Sequence, residues 1–227
     1  MAKEKLKIAA LVPMKKNSER VPNKNMKLFN GKPLYHAIIN TLLKSTYIDS
    51  IYIDTDSDLI INDVLINFPT INIINRPIEL QGDFVSMNEI INYNLTKTNY
   101  DIYLQTHSTN PLINTSTVDL AISTFIKNSF HDSLFSVTKI QSRFYWSDGS
   151  PLNHDINKLI RTQDLQPIFE ENSNIYIFTH QSFKDSNKKR IGLKPLMFEI
   201  NKIESIDIDE VEDFNLAELI YAHNIKY

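Results

Sequence analysis

Glycine is scarce in this chain. There are four in 227 residues, Gly31, Gly82, Gly149 and Gly192, where an average protein of this length carries about sixteen. No two stand close together, so every motif that needs neighbouring glycines is excluded: the GxGxxG dinucleotide fingerprint, the GxxxxGK[ST] phosphate loop and the GxSxG nucleophile elbow. A phosphate-rich ligand, if bound, must be held without a glycine cradle. Cysteine is absent altogether, which removes disulfides, thiolate catalysis and zinc–thiolate sites together. Long hydrophobic runs are missing too; none approaches the roughly 18 residues of a membrane-spanning helix. The opening MAKEKLK is charged and leads into only a short apolar run, so no secretory leader is expected and a cytoplasmic location is. A net charge of −3 and a pI near 6.1 argue against nucleic acid or a membrane surface as partner. The length suits a single domain spanning residues 1–227.

Charge is present in a telling distribution. From Lys15 to Lys32 there are six basic residues and one acid, Glu19, whereas Glu204 to Glu218 holds seven acids and no base. Brought together, such segments would suit a polyanion and a divalent cation. The alternative is two solvated faces.

The first half of the chain alternates regularly. Leu6–Pro13 is a short apolar run without helical period and reads as a buried strand. Pro33–Ser45 places Leu34, Ile38 and Leu42 on one helical face, with Pro33 at a first-turn position. Ile51–Asp54 is a second strand, and Ser57 can cap a helix running toward Ile66. A third strand at Ile71–Asn75, a helix at Ser86–Thr96 and a fourth strand at Tyr100–Gln105 follow. A helix at Thr115–Lys127 precedes a strand at Leu134–Val137. This rhythm predicts an α/β fold, a mostly parallel sheet covered by helices on both faces. Ligands in such sheets sit beyond the carboxyl ends of the strands. The rhythm breaks over residues 140–172, which read as an excursion, either a lid or a dimer arm. Strand character resumes at Ile175–Phe178 and Met197–Ile200. Asp209 opens a last helix, Glu210–Ala222, and Asp209 with Glu212 has capping-box spacing.

Chemistry concentrates after the first strand. Residues 13–25 (PMKKNSERVPNKN) supply Lys15, Lys16, Arg20 and Lys24 with Asn17 and Ser18, the cations and short donors that a triphosphate needs when backbone amides alone do not cradle it. Asp207 and Asp209 stand two apart. On extended backbone they project to one face and could offer two hard oxygen donors to Mg²⁺; the alternative is a helix cap and a surface acid. Asp54-Thr55-Asp56 mimics the DxD of metal-dependent glycosyltransferases, though its early position suits loop architecture better. The six histidines show no metal spacing. His107 falls near the end of the fourth strand, where it could touch substrate or metal. Phe144-Tyr145-Trp146 suits a hydrophobic anchor or a dimer contact.

Several motifs, taken in order, resemble the acylneuraminate cytidylyltransferases, which make CMP-sialic acid and CMP-Kdo-like sugars. They are Val21-Pro22-Asn23-Lys24-Asn25, Gly31-Lys32-Pro33-Leu34, Asp54-Thr55-Asp56-Ser57, Arg76-Pro77, Leu104-Gln105 and Thr109-Asn110-Pro111-Leu112. Arg161-Thr162-Gln163-Asp164-Leu165, Glu171-Asn172 and Ile206-Asp207-Ile208-Asp209 with Glu212-Asp213-Phe214 complete the series, which covers nearly the whole chain. The resemblance implies a Rossmann-like nucleotidyltransferase fold of three layers. It implies that Lys15, Ser18, Arg20, Lys24 and Asn25 hold the triphosphate of CTP, that Arg76 and the stretch around Ser86 meet base and ribose, and that Gln105, Arg161 and Gln163 meet an acidic sugar. Asp207 and Asp209 match the family's Mg²⁺ ligands, and Lys24, Arg20 and Asp209 would act on the reacting phosphates. A homodimer, with the excursion reaching across it, is also implied.

The function this implies is transfer of CMP from CTP to the anomeric hydroxyl of a sialic-acid-like 2-keto-3-deoxy sugar acid, releasing pyrophosphate. Other acceptors, such as another sugar acid or a phosphorylated polyol, a glycosyltransferase using Asp54 and Asp56, and a non-catalytic nucleotide-binding protein are the alternatives. The chain departs from the family pattern where Lys15-Lys16-Asn17-Ser18 replaces a glycine pair, where Glu19 takes a position often basic, and where the segment from Gln105 to Pro111 is lengthened by about two residues.

Overall fold

The computed structural model describes residues 5–223; residues 1–4, the start of the charged MAKEKLK stretch, and residues 224–227 lie outside the described residues. The chain begins with β1 (Ile8–Met14), a small hairpin of β2 (Leu28–Phe29) and β3 (Lys32–Pro33), and α1 (Tyr35–Leu43). It continues through β4 (Ser50–Thr55), α2 (Asp58–Asn67), β5 (Asn72–Asn75), α3 (Met87–Lys97), β6 (Ile102–Gln105) and α4 (Thr115–Lys127). The last part comprises β7 (Ser133–Ile140), β8 (Ile168–Phe178), α5 (His180–Asp185), β9 (Pro195–Glu199) and α6 (Val211–Ala222).

Seven strands form one sheet in the order β5-β4-β1-β6-β8-β7-β9. Strand β8 pairs antiparallel with both neighbours, and the remaining pairings in this sheet are parallel. The mostly parallel α/β sheet expected from the alternation is present. Strand β1 shows why it has three layers. Every one of its residues is buried, and alternate side chains face opposite ways. Ile8, Ala10, Val12 and Met14 join a core with α1, α2 and α4, while Ala9 and Leu11 join another with α3 and α5. Among the described residues no helix is long and apolar enough to cross a membrane.

Several boundaries differ from the sequence expectation for local reasons. Pro33 is not in the first turn of α1. Asn30 and Gly31 both take positive φ, 48° and 79°, the conformation of a two-residue hairpin turn, and this places Pro33 in β3. Strands β7 and β8 extend beyond 134–137 and 175–178 because they pair as a long antiparallel arm, from Val137 opposite Glu171 to Ile140 opposite Ile168. The irregular excursion is therefore confined to residues 141–167. Helix α5, which follows a Thr179 cap accepting the Ser182 N–H at 3.0 Å, was absent from the sequence expectation because it is too short to show a period.

A third apolar cluster positions the site. Phe29, Leu34 and Ala37 pack with Leu112, Ile208, Phe214 and Ala217, so the hairpin and α1 clamp the start of α6. The Phe29 and Phe214 rings meet edge-on at 5.5 Å, and the Lys27 ammonium lies 4.2 Å above Phe214. Phe214→Ala should lower the unfolding free energy by about 3–5 kcal/mol, measured by urea unfolding. The exposed Leu216→Ala, on the same helix, should change it by about 0.5 kcal/mol or less.

Candidate active site

At the carboxyl ends of β1, β5 and β6 opens a cleft of about 470 Å³. Its walls include Lys15, Ser18, Arg20, Lys24 and Asn25 from the loop after β1, Arg76 after β5, Asp83, and His107–Thr109 after β6. The location is the one that a parallel sheet offers a ligand.

The first loop is exposed at Lys15 to Asn17, Glu19 and Arg20 and buried again at Lys24 and Asn25. Short polar bonds set its course. Asn25 donates to the Lys15 carbonyl at 3.1 Å and accepts the Ser108 hydroxyl at 2.6 Å. The Lys16 N–H donates to Asp56 at 2.7 Å. Asn23 takes φ 53°, a left-handed conformation that asparagine tolerates. Side chains and turn residues thus do the shaping that a glycine pair could have done.

The basic and acidic segments converge here. The Lys24 ammonium donates to the Ile208 carbonyl and lies 3.9 Å from Asp209. Burial lowers the Lys24 pKa, and the charge of Asp209 resists that shift. Arg20 donates to Asp209 at 2.6 Å and to Glu210 at 3.3 Å. Burial raises the Asp207 pKa, while a Thr109 hydrogen bond lowers it. The buried Asp207 Oδ1 has no hydrogen-bond partner among the described residues.

Asp209 is not the cap of α6. Asp213 accepts the N–H groups of Glu210 at 2.8 Å and of Asp209 at 3.1 Å, which puts the capping box at Glu210 and Asp213, one residue later than the sequence spacing suggests. The Asp209 carboxylate is left to face Arg20 and Lys24.

Asp54 and Asp56 hold the loops in place. Asp54 is fully buried and accepts the Arg76 guanidinium at 2.5 Å; burial raises its pKa and Arg76 resists. With Asp56 on the Lys16 N–H, the two carboxylates serve different loops. Arg76 forms part of the cleft wall with its guanidinium turned to Asp54. Ser86 caps α3, accepting the Glu89 N–H at 3.3 Å, and does not line this cleft. Arg161 is exposed and grips Asp164 through two bonds, at 2.7 and 3.1 Å. It lies with exposed Gln163 in the connection between β7 and β8, and neither lines the cleft.

Gln105 is fully buried at the end of β6 and belongs to a cluster the sequence did not disclose. Its amide nitrogen lies 3.0 Å from His107 Nε2, and its carbonyl oxygen accepts Arg190 at 2.6 Å. The Arg190 guanidinium stacks 3.7 Å from the Tyr176 ring centre. Burial, with the Arg190 charge, pushes the His107 pKa down to about 3, so this imidazole is neutral near pH 7. In sequence Arg190 ends the run Lys188-Lys189-Arg190, which looks like a solvated turn; only its scarcity, as one of five arginines, could have marked it.

The family model described as "Cytidylyltransferase" matches residues 9–225. The CMP-N,N'-diacetyllegionaminic acid synthase of Legionella pneumophila is 28% identical, over 96% of this chain and 98% of that protein. The pseudaminic acid cytidylyltransferase of Campylobacter jejuni is 26% identical, over 96% of this chain and 98% of its own length. Among solved structures, a CMP:2-keto-3-deoxy-manno-octonic acid synthetase complexed with CTP superposes with a TM-score of 0.74 at 13% identity, covering 96% of this chain and all, 100%, of that one. That last likeness is one of fold.

Asp54→Asn would leave the Arg76 guanidinium buried without a counter-charge, and unfolding free energy should fall by about 3–5 kcal/mol. A stable Asp54→Asn protein that had lost only divalent-ion binding would instead return this pair to the metal-site reading. For His107, the unfolded chain binds a proton below about pH 6.5 while the folded chain takes it only near pH 3, so folding weakens as pH falls through that window. Urea unfolding of His107→Gln between pH 7 and 4 should show a shallower loss of stability than the unsubstituted protein.

Proposed function

The chain belongs to the cytidylyltransferase family and is a nucleotidyltransferase, and on that premise we propose that it transfers CMP from CTP to the anomeric hydroxyl of a sialic-acid-like 2-keto-3-deoxy sugar acid. The observation that carries this reading is that Arg20 and Lys24, which line the cleft at the strand ends, are met by Asp209 at 2.6 and 3.9 Å and by the charge of Asp207. The full-length match to relatives named for legionaminic and pseudaminic acid supports the acceptor class. Those acids, N-acylneuraminate and Kdo are acceptors of one chemical kind, each with a carboxylate beside the anomeric carbon.

In the proposed reaction the acceptor's anomeric oxygen bonds to the α-phosphorus of CTP, and the bond from that phosphorus to the β-phosphate bridge breaks, releasing pyrophosphate. The hydroxyl proton leaves to solvent or a neighbouring base. Lys15, Arg20 and Lys24 gather the triphosphate and balance the charge that collects on the departing pyrophosphate. Arg20 is half exposed, so it can exchange Asp209 for a phosphate oxygen without a change in the fold. Lys15 is bound to Asp83 at 2.6 Å across the cleft mouth, and can make the same exchange.

Magnesium is part of the proposal. The orphaned, buried Asp207 Oδ1 and the Asp209 carboxylate, free of capping duty, form a donor set that fits a hard cation taking one or two carboxylates plus substrate phosphate. When bound, it supplies further neutralisation of the phosphate oxygens. The homodimer is proposed as well, on the exposed Tyr145, Trp146, Ile156 and Leu159 of the 141–167 connection.

Pyrophosphate release, assayed for each nucleoside triphosphate with Mg²⁺ and a panel of sugar acids, should appear with CTP and at least one nonulosonic acid. Release with a phosphorylated polyol alone would move the acceptor to that class, and no release with any pair would sink the transferase reading. Asp209→Ala should reduce turnover about a hundredfold or more with the thermal unfolding profile kept; near-normal turnover would remove Asp209 from the site.

A further inference from the structure

The arginines of this chain differ in what balances their charge. Arg20, Arg76 and Arg161 each pair with a carboxylate, and Arg143 donates to the Ile160 carbonyl. Arg190 has no carboxylate within ion-pairing distance among the described residues, although it is half-buried. Glu171, whose charge reaches it, is already hydrogen-bonded by the Tyr176 hydroxyl. A guanidinium drawn out of water without a counter-charge is costly, and burial lowers the Arg190 pKa accordingly.

The side chain is nevertheless held firmly. One nitrogen, Nη1, donates to Gln105 Oε1 at 2.6 Å and lies 3.5 Å from His107 Nε2. Its plane rests on Tyr176, and its backbone N–H donates to Asn88 of α3 at 3.3 Å. Nε and Nη2 have no hydrogen-bond partner among the described residues. Because His107 Nε2 faces two donors, the Gln105 amide and Arg190, it is the accepting nitrogen of a neutral ring, and it adds no competing charge. Gln105 and Tyr176 are cross-strand partners on β6 and β8, and His107 lines the cleft. Arg190 therefore lies next to the cleft-lining His107, on the side of β6 and β8, while the basic loop that lines the cleft follows β1.

We propose that Arg190, steadied by Gln105, Tyr176 and His107, receives the carboxylate of the acceptor, so that this cluster selects acidic acceptors from within one subunit. The inference rests on the sugar-acid reading of the reaction. The planar fork of a guanidinium matches a carboxylate through two parallel N–H donors, and two unspent donors are what Arg190 retains. The phosphate-binding cations are all elsewhere, so the substitution of Arg190 separates acceptor recognition from nucleotide recognition.

The test compares the unsubstituted enzyme with Arg190→Gln and Arg190→Lys, using the sugar acid that supports turnover and the same sugar with its carboxylate converted to the amide. In Arg190→Gln the KM for the acid should rise about 10- to 100-fold, while the KM for CTP stays within twofold. The preference for acid over amide should collapse, and Arg190→Lys, which keeps the charge and loses the fork, should recover part of it. Titration of CTP onto each variant by calorimetry reports folding and an intact nucleotide site independently of turnover. If Arg190→Gln binds CTP normally and keeps both its KM for the acid and its acid-over-amide preference, the inference is overturned. If Arg190→Gln cannot bind CTP, Arg190→Lys decides by the same two readings. An unsubstituted enzyme inactive with every sugar acid overturns the reading of the reaction itself, and the inference with it.

Discussion

One buried contact joins the two ends of the chain's chemistry. The Lys24 ammonium donates to the carbonyl of Ile208, across most of the sequence, and in doing so brings the basic loop after β1 against the acidic turn before α6. An ammonium pulled from water needs such a partner and a nearby negative charge, and Asp209 supplies the charge. The contact survives because apolar packing underwrites it. Ile208 is itself fully buried in the cluster formed by Phe29, Leu34, Phe214 and Ala217. The hairpin, the first helix and the last helix are there to hold this meeting point closed.

The same economy is visible around the rest of the cleft, where each loop is pinned by a polar bond to a different strand end. Asn25 ties the first loop to the segment after β6 through Ser108. Asp56 ties it to β4, and Asp54 ties β4 to the loop after β5 through Arg76. Glycine shortage accounts for this style. With few flexible residues, the chain turns on asparagines in left-handed conformation and lines the cleft with long cationic side chains. The consequence is a site whose charges neutralise one another, Arg20 with Asp209 and Lys15 with Asp83.

Much of this was legible in the residues. The strand–helix rhythm from Leu6 to Lys127 yields the parallel half of the sheet and the helix Thr115–Lys127 to the residue, because amphipathic periods are local. The position of the basic loop after the first strand was equally plain. Residues with a tertiary duty were harder. Ser86 sits in a capping box that is itself readable from Glu89, yet the same sequence was compatible with a ligand contact. Asp209 stands three residues before Glu212, the spacing of a capping box, and only the observed bonds of the Glu210 and Asp209 N–H groups to Asp213 show that the box begins one residue later. Pro33 belongs to a hairpin because Asn30 and Gly31 turn the chain, a signal two residues long that a helical pattern overrides.

Sequence alone determined the class of protein: an α/β chain without thiols, spanning helices or glycine cradles, carrying a cationic loop and a late carboxylate pair in the order of the cytidylyltransferases. Those properties follow from composition, local periodicity and motif order, none of which requires knowing what packs on what. Tertiary structure decided which charges meet. It gave Asp54 to Arg76 inside the protein and Asp209 to Arg20 in the cleft. It also lifted Arg190 out of an ordinary-looking Lys-Lys-Arg turn and laid it on Tyr176 beside Gln105. The energy of a charge depends on its burial and on neighbours that are remote along the chain, so no reading of spacing could have assigned these partners.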